Sequence, residues 1–493
     1  MTKVAIVGGG IGGLSAGICA ALNGFETHIF EKHSVAGGLC TAWDRKGHVI
    51  DGCIHWLVGS KPGNSMYRLW EDLGVLDGVK FVDHDEYVTI VQPDGRRLVF
   101  PCDVDRMYEE FAQVSPEDRH LLDEFRRAVK KARGFGLGPD LGDPWWKRSL
   151  AGLSLLGIMP LFMRYDRVSV GDFARRFKSR DLGLAFEHFF LPDMPMIFMI
   201  MSFAWFMDKN AGYPLGGSRV LVSGMVKKFE GLGGKLHLRA PVKRILQKDG
   251  RAVGLLLEDG SEVAADWVIS GADLHATLND LLDPPAPDQR LQELFKTNPP
   301  FEPLVMVAFG MPRFPEGVPH GISGSVLRLE TPLDSGGKLV EGFTFHPYSA
   351  DPSLAPEGRT VGLAMVDAGW DYWNDLKDRK DAYQARKTEL AAQIQALVEE
   401  RFPSLRGKLE LLDVSTPWTF RRYTGNWRGS FEGFLANKDN YRKPSPLTVQ
   451  GVDRLLLCGH WLRNGGGLPP AAMTGMEAVL QLCKREGRPF KRR

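Results

Sequence analysis

Residues 3–31 read KVAIVGGGIGGLSAGICAALNGFETHIFE. Six glycines lie between positions 8 and 17, directly after a β-branched apolar run. Glycine costs roughly 1 kcal/mol per position against alanine inside regular structure, so something must require bare backbone here. Residues 4–7 read as a buried parallel strand. Residues 11–22 read as a helix of small and apolar residues, closed by a left-handed cap at Asn23-Gly24. Residues 25–30 read as a second strand, with Glu31 at its end. Between the first strand and the helix, Gly8, Gly10 and Gly13 match G-x-G-x-x-G, with Ile11 and Gly12 inside the motif. The first glycine makes the tight turn, the second admits a pyrophosphate, and the third lets helix and strand pack closely. Glu31 falls where an acidic side chain accepts hydrogen bonds from a ribose hydroxyl. The unit therefore predicts an α/β fold with a dinucleotide site.

The stretch after Glu31, KHSVAGGLCTAWDRKGHVIDGCIHWLVG, selects the dinucleotide. Lys32 is followed by a second glycine pair, Gly37-Gly38, then Leu39 and Thr41. A further glycine pair with a nearby hydroxyl adds donors for a phosphate or a flavin edge, an extension that an NAD domain does not need. FAD is the expected cofactor. Two later segments agree. Residues 213–218, YPLGGS, precede an expected helix, strands near 235–238 and 242–245, and a hairpin with turns at Asp249-Gly250 and Asp259-Gly260. Near the other end, a buried strand at 455–458 leads to Gly459, His460 and the turn Gly465-Gly466-Gly467. A helix then starts around Leu468-Pro469-Pro470, where proline suits the first turn.

YPLGGS, VISGAD (268–273) and GGGLPP (465–470) together resemble the flavin-containing amine oxidoreductase superfamily. The resemblance is strongest to its phytoene desaturase, carotenoid isomerase and retinol saturase branch. It implies a Rossmann-like, discontinuous FAD-binding domain beside an α+β substrate-binding domain. It also implies that Val242 meets the adenine through its backbone, that Leu468 and Pro469 lie by the flavin, and that the FAD is held non-covalently. One departure stands out. Many relatives carry an aspartate after the glycine of the last strand, where this chain has His460. That histidine could bind the ribityl chain or a phosphate, act as an acid or base, or be structural. His55 falls where relatives approach the flavin ring, and shares the two readings of catalytic group and packed core histidine.

The net charge of +2 carries no global nucleic-acid signature, and 43% hydrophobic with 25% charged residues is ordinary for a folded chain. Cys19, Cys40, Cys53, Cys102, Cys458 and Cys483 are scattered without a C-x-x-C pair, and the histidines show no ligand spacing. No metal site or disulfide framework is expected, and a cytoplasmic location fits, peripheral to the membrane inner face if lipid is contacted. Two uncharged runs, at 149–163 and 194–207, fall short of the ~18 residues of a transmembrane helix. Each could be core, a tunnel for a greasy substrate or a membrane-facing patch. The basic end KREGRPFKRR could be a solvated tail or a contact with anionic lipid.

The expected FAD-binding domain comprises residues 1–75, 210–275 and 450–485. The substrate domain comprises 76–209 and 276–449, and 486–493 form the tail. No second G-x-G-x-x-G follows a strand, so no dedicated NAD(P)H domain is expected and the electron acceptor is left open. The expected function is FAD-dependent desaturation, saturation or isomerisation of an apolar unsaturated lipid such as a carotenoid or other isoprenoid. Trp56, Phe198, Phe203 and Tyr423 are candidate substrate contacts. Two alternatives stand beside it. One is a flavin amine oxidase with an aromatic cage from Tyr423 and Trp427, opposed by the Arg421-Arg422 pair. The other is a non-enzymatic FAD-containing lipid-binding protein.

Overall fold

The computed structural model describes residues 1–135, 157–285 and 288–492. The opening unit forms as its sequence dictates. Strand Lys3–Val7, helix Ile11–Leu22 and strand Glu26–Phe30 follow in order, and the two strands pair in parallel. Gly8 makes the turn with φ +90°, a region that disfavours any side chain. At Gly13 a Cβ would lie 2.0 Å from the Gly8 carbonyl oxygen, so only glycine lets the helix sit this close to the turn.

Five strands continue the parallel sheet in the order Lys235–His237, Glu26–Phe30, Lys3–Val7, Trp267–Ser270 and Val452–Leu457. The expected hairpin extends this sheet: Val242–Lys248 pairs antiparallel with Arg251–Leu257, which pairs in turn with Glu262–Ala264. Helix Ile11–Leu22 packs against Gly217–Gly231 and against Leu468–Arg485, whose first turn carries both prolines. Ser15 Oγ donates to the Ala472 carbonyl at 2.7 Å across the second of these contacts.

A second sheet of seven strands runs Glu410–Ser415, Leu304–Pro312, Arg359–Asp367, Leu339–Pro347, Ser325–Asp334, Glu86–Val91 and Arg97–Pro101. It is antiparallel apart from the pairing of Ser325–Asp334 with Glu86–Val91. Helix Lys380–Arg401 buries Leu390, Ile394 and Val398 against one face.

Between residues 100 and 206 a separate core forms around Phe100, Phe125, Phe186, Phe189 and Phe203. Helix Met196–Met207 is buried nearly all round within it, as an all-apolar helix must be. This corrects the expectation of a tunnel wall. Met194, Met196, Met199 and Met201 fill space between aromatic rings, and Phe203 is fully buried among Phe125, Phe189 and Phe206. The run at 149–163 lies outside the described residues as far as residue 156; beyond it, Ile158 and Leu161 join the same core. No described helix is long and apolar enough to cross a membrane.

The basic end is not a free tail up to residue 492. Arg492 pairs with Asp72, Arg488 lies 4.8 Å above the Phe25 ring, and Lys491 N donates to Asn23 Oδ1 at 2.6 Å.

Candidate functional site

A cavity of ≈ 1410 Å³ opens along the edge of the parallel sheet. Single drug-sized ligands occupy about 300–1,000 Å³, so this space suits a longer molecule. At one end lie Glu31, Lys32 and His33. Gly8, Gly10, Ile11 and Gly12 line the middle, and Cys53, Glu432, Gly467 and Leu468 the far end. Gly37, Gly38, Leu39, Thr41, Val242, Gly459 and His460 also face it. Two expected cofactor residues do not. Gly13 serves the helix–turn packing, and Pro469 lies within the first turn of the terminal helix.

Glu31 is set by its neighbours. Its Oε2 accepts from Gly9 N at 2.7 Å and its Oε1 from His33 N at 2.8 Å. Each oxygen keeps a further lone pair for a ribose hydroxyl. Lys32 Nζ donates to the Arg422 carbonyl at 3.1 Å, and burial holds its ammonium below the usual lysine range. The second glycine pair is tied to the first: Gly37 N donates to the Gly9 carbonyl at 2.8 Å.

These residues fit an FAD. The glycine turn offers bare backbone where a Cβ on Gly10 would meet no atom closer than 3.9 Å, so a pyrophosphate can approach. The N-terminus of helix Ile11–Leu22 faces the same space, favouring its negative charge. A dinucleotide held at Glu31 by one ribose and at Gly8–Gly12 by its phosphates extends toward Cys53, Glu432 and Gly467.

His460 is held by a buried amide. Asn426 Nδ2 donates to the Ser430 and Glu432 carbonyls at 2.6 and 2.9 Å, which fixes its Oδ1 as an acceptor. That oxygen accepts from Trp461 Nε1 at 2.7 Å and lies 3.2 Å from His460 Nε2. His460 therefore carries its proton on Nε2 and leaves Nδ1 free to accept. Burial pushes its pKa down to about 4, so it is neutral near pH 7. His55 does not face this cavity. It stacks on His346, with ring centroids 4.8 Å apart, and burial pushes it also down to about 4.

The candidate substrate contacts are dispersed. Trp56 packs between Trp205 and Phe206. Phe198 is half-buried, edge-on to Tyr441, and reaches to within 3.5 Å of the point where Gly465 would carry a Cβ. Tyr423 faces the cavity, but at its ribose end, 5.3 Å from the His33 ring. Trp427 stacks on His275 at 5.5 Å and does not line the cavity, so these two residues build no aromatic cage at the far end.

Sequence reasoning did not reach three buried carboxylates. Asp51 accepts from Cys53 N, Ile54 N, Ser218 N and Ser218 Oγ at 2.5 to 3.1 Å. Gly217 is required there, because a Cβ would lie 2.1 Å from Asp51 Oδ2. The GGS of YPLGGS thus seats a carboxylate at the N-terminus of helix Gly217–Gly231. Burial pushes Asp51 upward against the pull of those hydrogen bonds. Asp273 lines the cavity, caps Ala276 N at 2.8 Å, accepts Trp427 N at 2.8 Å, and is pushed by burial up to about 6. Glu432 is the third, pushed by burial up to about 7. No signal in the sequence marks any of the three, since each partner lies far along the chain or on bare backbone.

The family model for flavin containing amine oxidoreductases matches residues 11–483. Prolycopene isomerase 2, chloroplastic, of an Oncidium hybrid cultivar is 26% identical, covering 96% of this chain and 82% of its own. Phytoene desaturase (neurosporene-forming) of Cereibacter sphaeroides is 25% identical, covering 99% and 97%. An oxidoreductase from Methanosarcina mazei shares the fold, with a TM-score of 0.59, 18% identity and coverage of 97% and 100%. The glycine turn, Glu31 and the cavity between them thus sit in a match that spans nearly all of the chain, and the protein belongs to the flavin containing amine oxidoreductases.

Proposed function

We propose that the protein is an oxidoreductase that binds FAD non-covalently and acts on carbon–carbon double bonds of an apolar isoprenoid polyene. The observation that carries the cofactor reading is the cavity that joins Glu31, the glycine turn and the terminal helix in one space. The substrate reading draws on the names of the similar proteins, a prolycopene isomerase and a phytoene desaturase. It also draws on the far end of the cavity, where the expected aromatic cage for an amine is not assembled.

When bound, the flavin supplies two-electron chemistry. The chain's own residues then have separate tasks. Glu31 and Lys32 hold the nucleoside end. Gly8, Gly10 and Gly12 clear the approach of the phosphates, and the first turn of helix Ile11–Leu22 favours their charge. His460, neutral and oriented by Asn426, offers Nδ1 as an acceptor. Asp51 pins the segment carrying Cys53 to the helix at Gly217, which fixes the wall of the far end. A hydrocarbon offers few polar handles, so its binding rests on apolar area at about 25 cal/mol per Å². The parallel sheet serves the cofactor in this reading, and the seven-stranded sheet with the aromatic core serves the substrate.

The test is product analysis. FAD-loaded protein is incubated without oxygen with carotenoid polyenes in vesicles, once with the flavin oxidised and once pre-reduced, and with primary amines in parallel. Chromatography should show a changed number or geometry of double bonds in at least one polyene arm. Oxidation of the amine with every polyene recovered intact would assign the amine oxidase reading instead. Polyenes and amines both recovered intact would leave a lipid-binding protein.

A further inference from the structure

Glu432 is the buried carboxyl that the reading above leaves without a task. It lies on the loop after the turn Trp427–Gly429 and faces the cavity at its far end. Its Oε2 accepts from Gly467 N at 2.5 Å, at the N-terminus of helix Leu468–Arg485. Among the described residues no other hydrogen bond and no ion pair is made by this carboxyl. The turn is shaped around it, for a Cβ on Gly466 would lie 1.6 Å from Oε2.

The groups that face Glu432 do not neutralise it. On the segment after Asp51, the Cys53 thiol feels its charge and hydrogen-bonds to the Cys40 thiol. On the loop after the last strand, the His460 carbonyl oxygen approaches within 2.9 Å of where a Cβ on Gly433 would lie, and its imidazole is neutral. The nearby Arg463 is already paired with Glu477. Only the helix N-terminus and one N–H favour the ionised form, while burial opposes it. The balance lies close to neutrality, with the carboxyl at about 7.

The cavity's direction then gives this carboxyl its meaning. With one ribose at Glu31 and the phosphates at the glycine turn, the flavin ring reaches the end where Glu432 stands. We propose that Glu432 takes up a proton when the electron pair enters this site and releases it when the pair leaves. This rests on the FAD reading above. In balance, the electron pair arrives from the substrate or a reductant, and one proton from solvent forms an O–H bond on the Glu432 carboxylate. On reoxidation that O–H bond breaks and the proton returns to solvent. The added negative charge in a low-dielectric site is what favours the neutral carboxyl.

The test is the midpoint potential of the bound flavin against pH, measured by spectroelectrochemistry on the full-length FAD-loaded protein. The unaltered protein should show a window of pH around neutrality in which one proton more accompanies the electron pair than in Glu432→Gln. Within it the reduction equilibrium changes by a further tenfold per pH unit, about 30 mV for two electrons. Cys53→Ser should keep the window, which separates the carboxyl from the thiol. Parallel lines for the unaltered protein and Glu432→Gln, or loss of the window in Cys53→Ser alone, would overturn the proposal. If Glu432→Gln does not fold, reduced-minus-oxidised infrared spectra of the unaltered protein decide. Reduction should produce a protonated-carboxyl C=O band that moves in D₂O, and its absence would overturn the proposal. A protein that takes up FAD but fails these tests loses only the role of Glu432, whereas one that takes up no FAD loses the cofactor reading itself.

Discussion

Glu31 shows how much one side chain can organise. Its two oxygens hold the backbone of Gly9 and His33, so the glycine turn and the end of the second strand are locked to one carboxylate. Glu31→Ala should therefore weaken FAD retention. A hydrogen bond to a charged group is worth about 1.5–3 kcal/mol, so affinity should fall roughly 10- to 150-fold, read by fluorescence titration of the deflavinated protein. Equal affinity would make Glu31 a strand-end residue only. Glu31 was legible because the acidic residue falls at a fixed distance after the glycines. Glu432, Asp51 and Asp273 were not. The Asp51 carboxylate meets Ser218, 167 positions away, and the Glu432 carboxylate meets Gly467, 35 positions away. A single carboxylate whose partner is a distant N–H leaves no spacing to read.

At the scale of elements, regular structure with local causes was the easiest to foresee. Helix Ile11–Leu22, the hairpin around Asp94-Gly95 between Glu86–Val91 and Arg97–Pro101, and the proline-led terminal helix all form where composition places them. The expected cap at Ser115 forms differently. Ser115 Oγ donates to Asp118 at 2.8 Å, and the Asp118 carboxylate accepts from Lys178 N and Ser179 N at 2.8 and 2.9 Å. A distant loop thus claims the acid, and the α-helix starts at Arg119. Helix Met196–Met207 was ambiguous, because methionine and phenylalanine fill a core or line a tunnel equally well. Burial settles Phe203 in the core. Phe203→Ala should cost about 3–5 kcal/mol, seen as a large drop in melting temperature. Phe198→Ala, at a half-buried position beside Gly465, should cost clearly less. Similar losses at both positions would contradict the difference in packing.

The whole molecule is threaded so that distant stretches meet along one cavity. The sheet that carries it takes strands from residues 3–30, 235–270 and 448–457, and the longest excursions between them build the seven-stranded sheet and the aromatic core. The glycine motifs announce the first sheet because a phosphate site needs bare backbone. A pocket for a hydrocarbon needs only apolar area, which many arrangements supply, so its walls carry no motif. The account rests on one cavity holding one whole FAD without a covalent bond. Absorbance titration of the deflavinated protein with FAD tests this most directly. The account predicts a flavin spectrum that saturates at one FAD per chain and a flavin that acid or heat releases intact. A protein that stays colourless in excess FAD would contradict it.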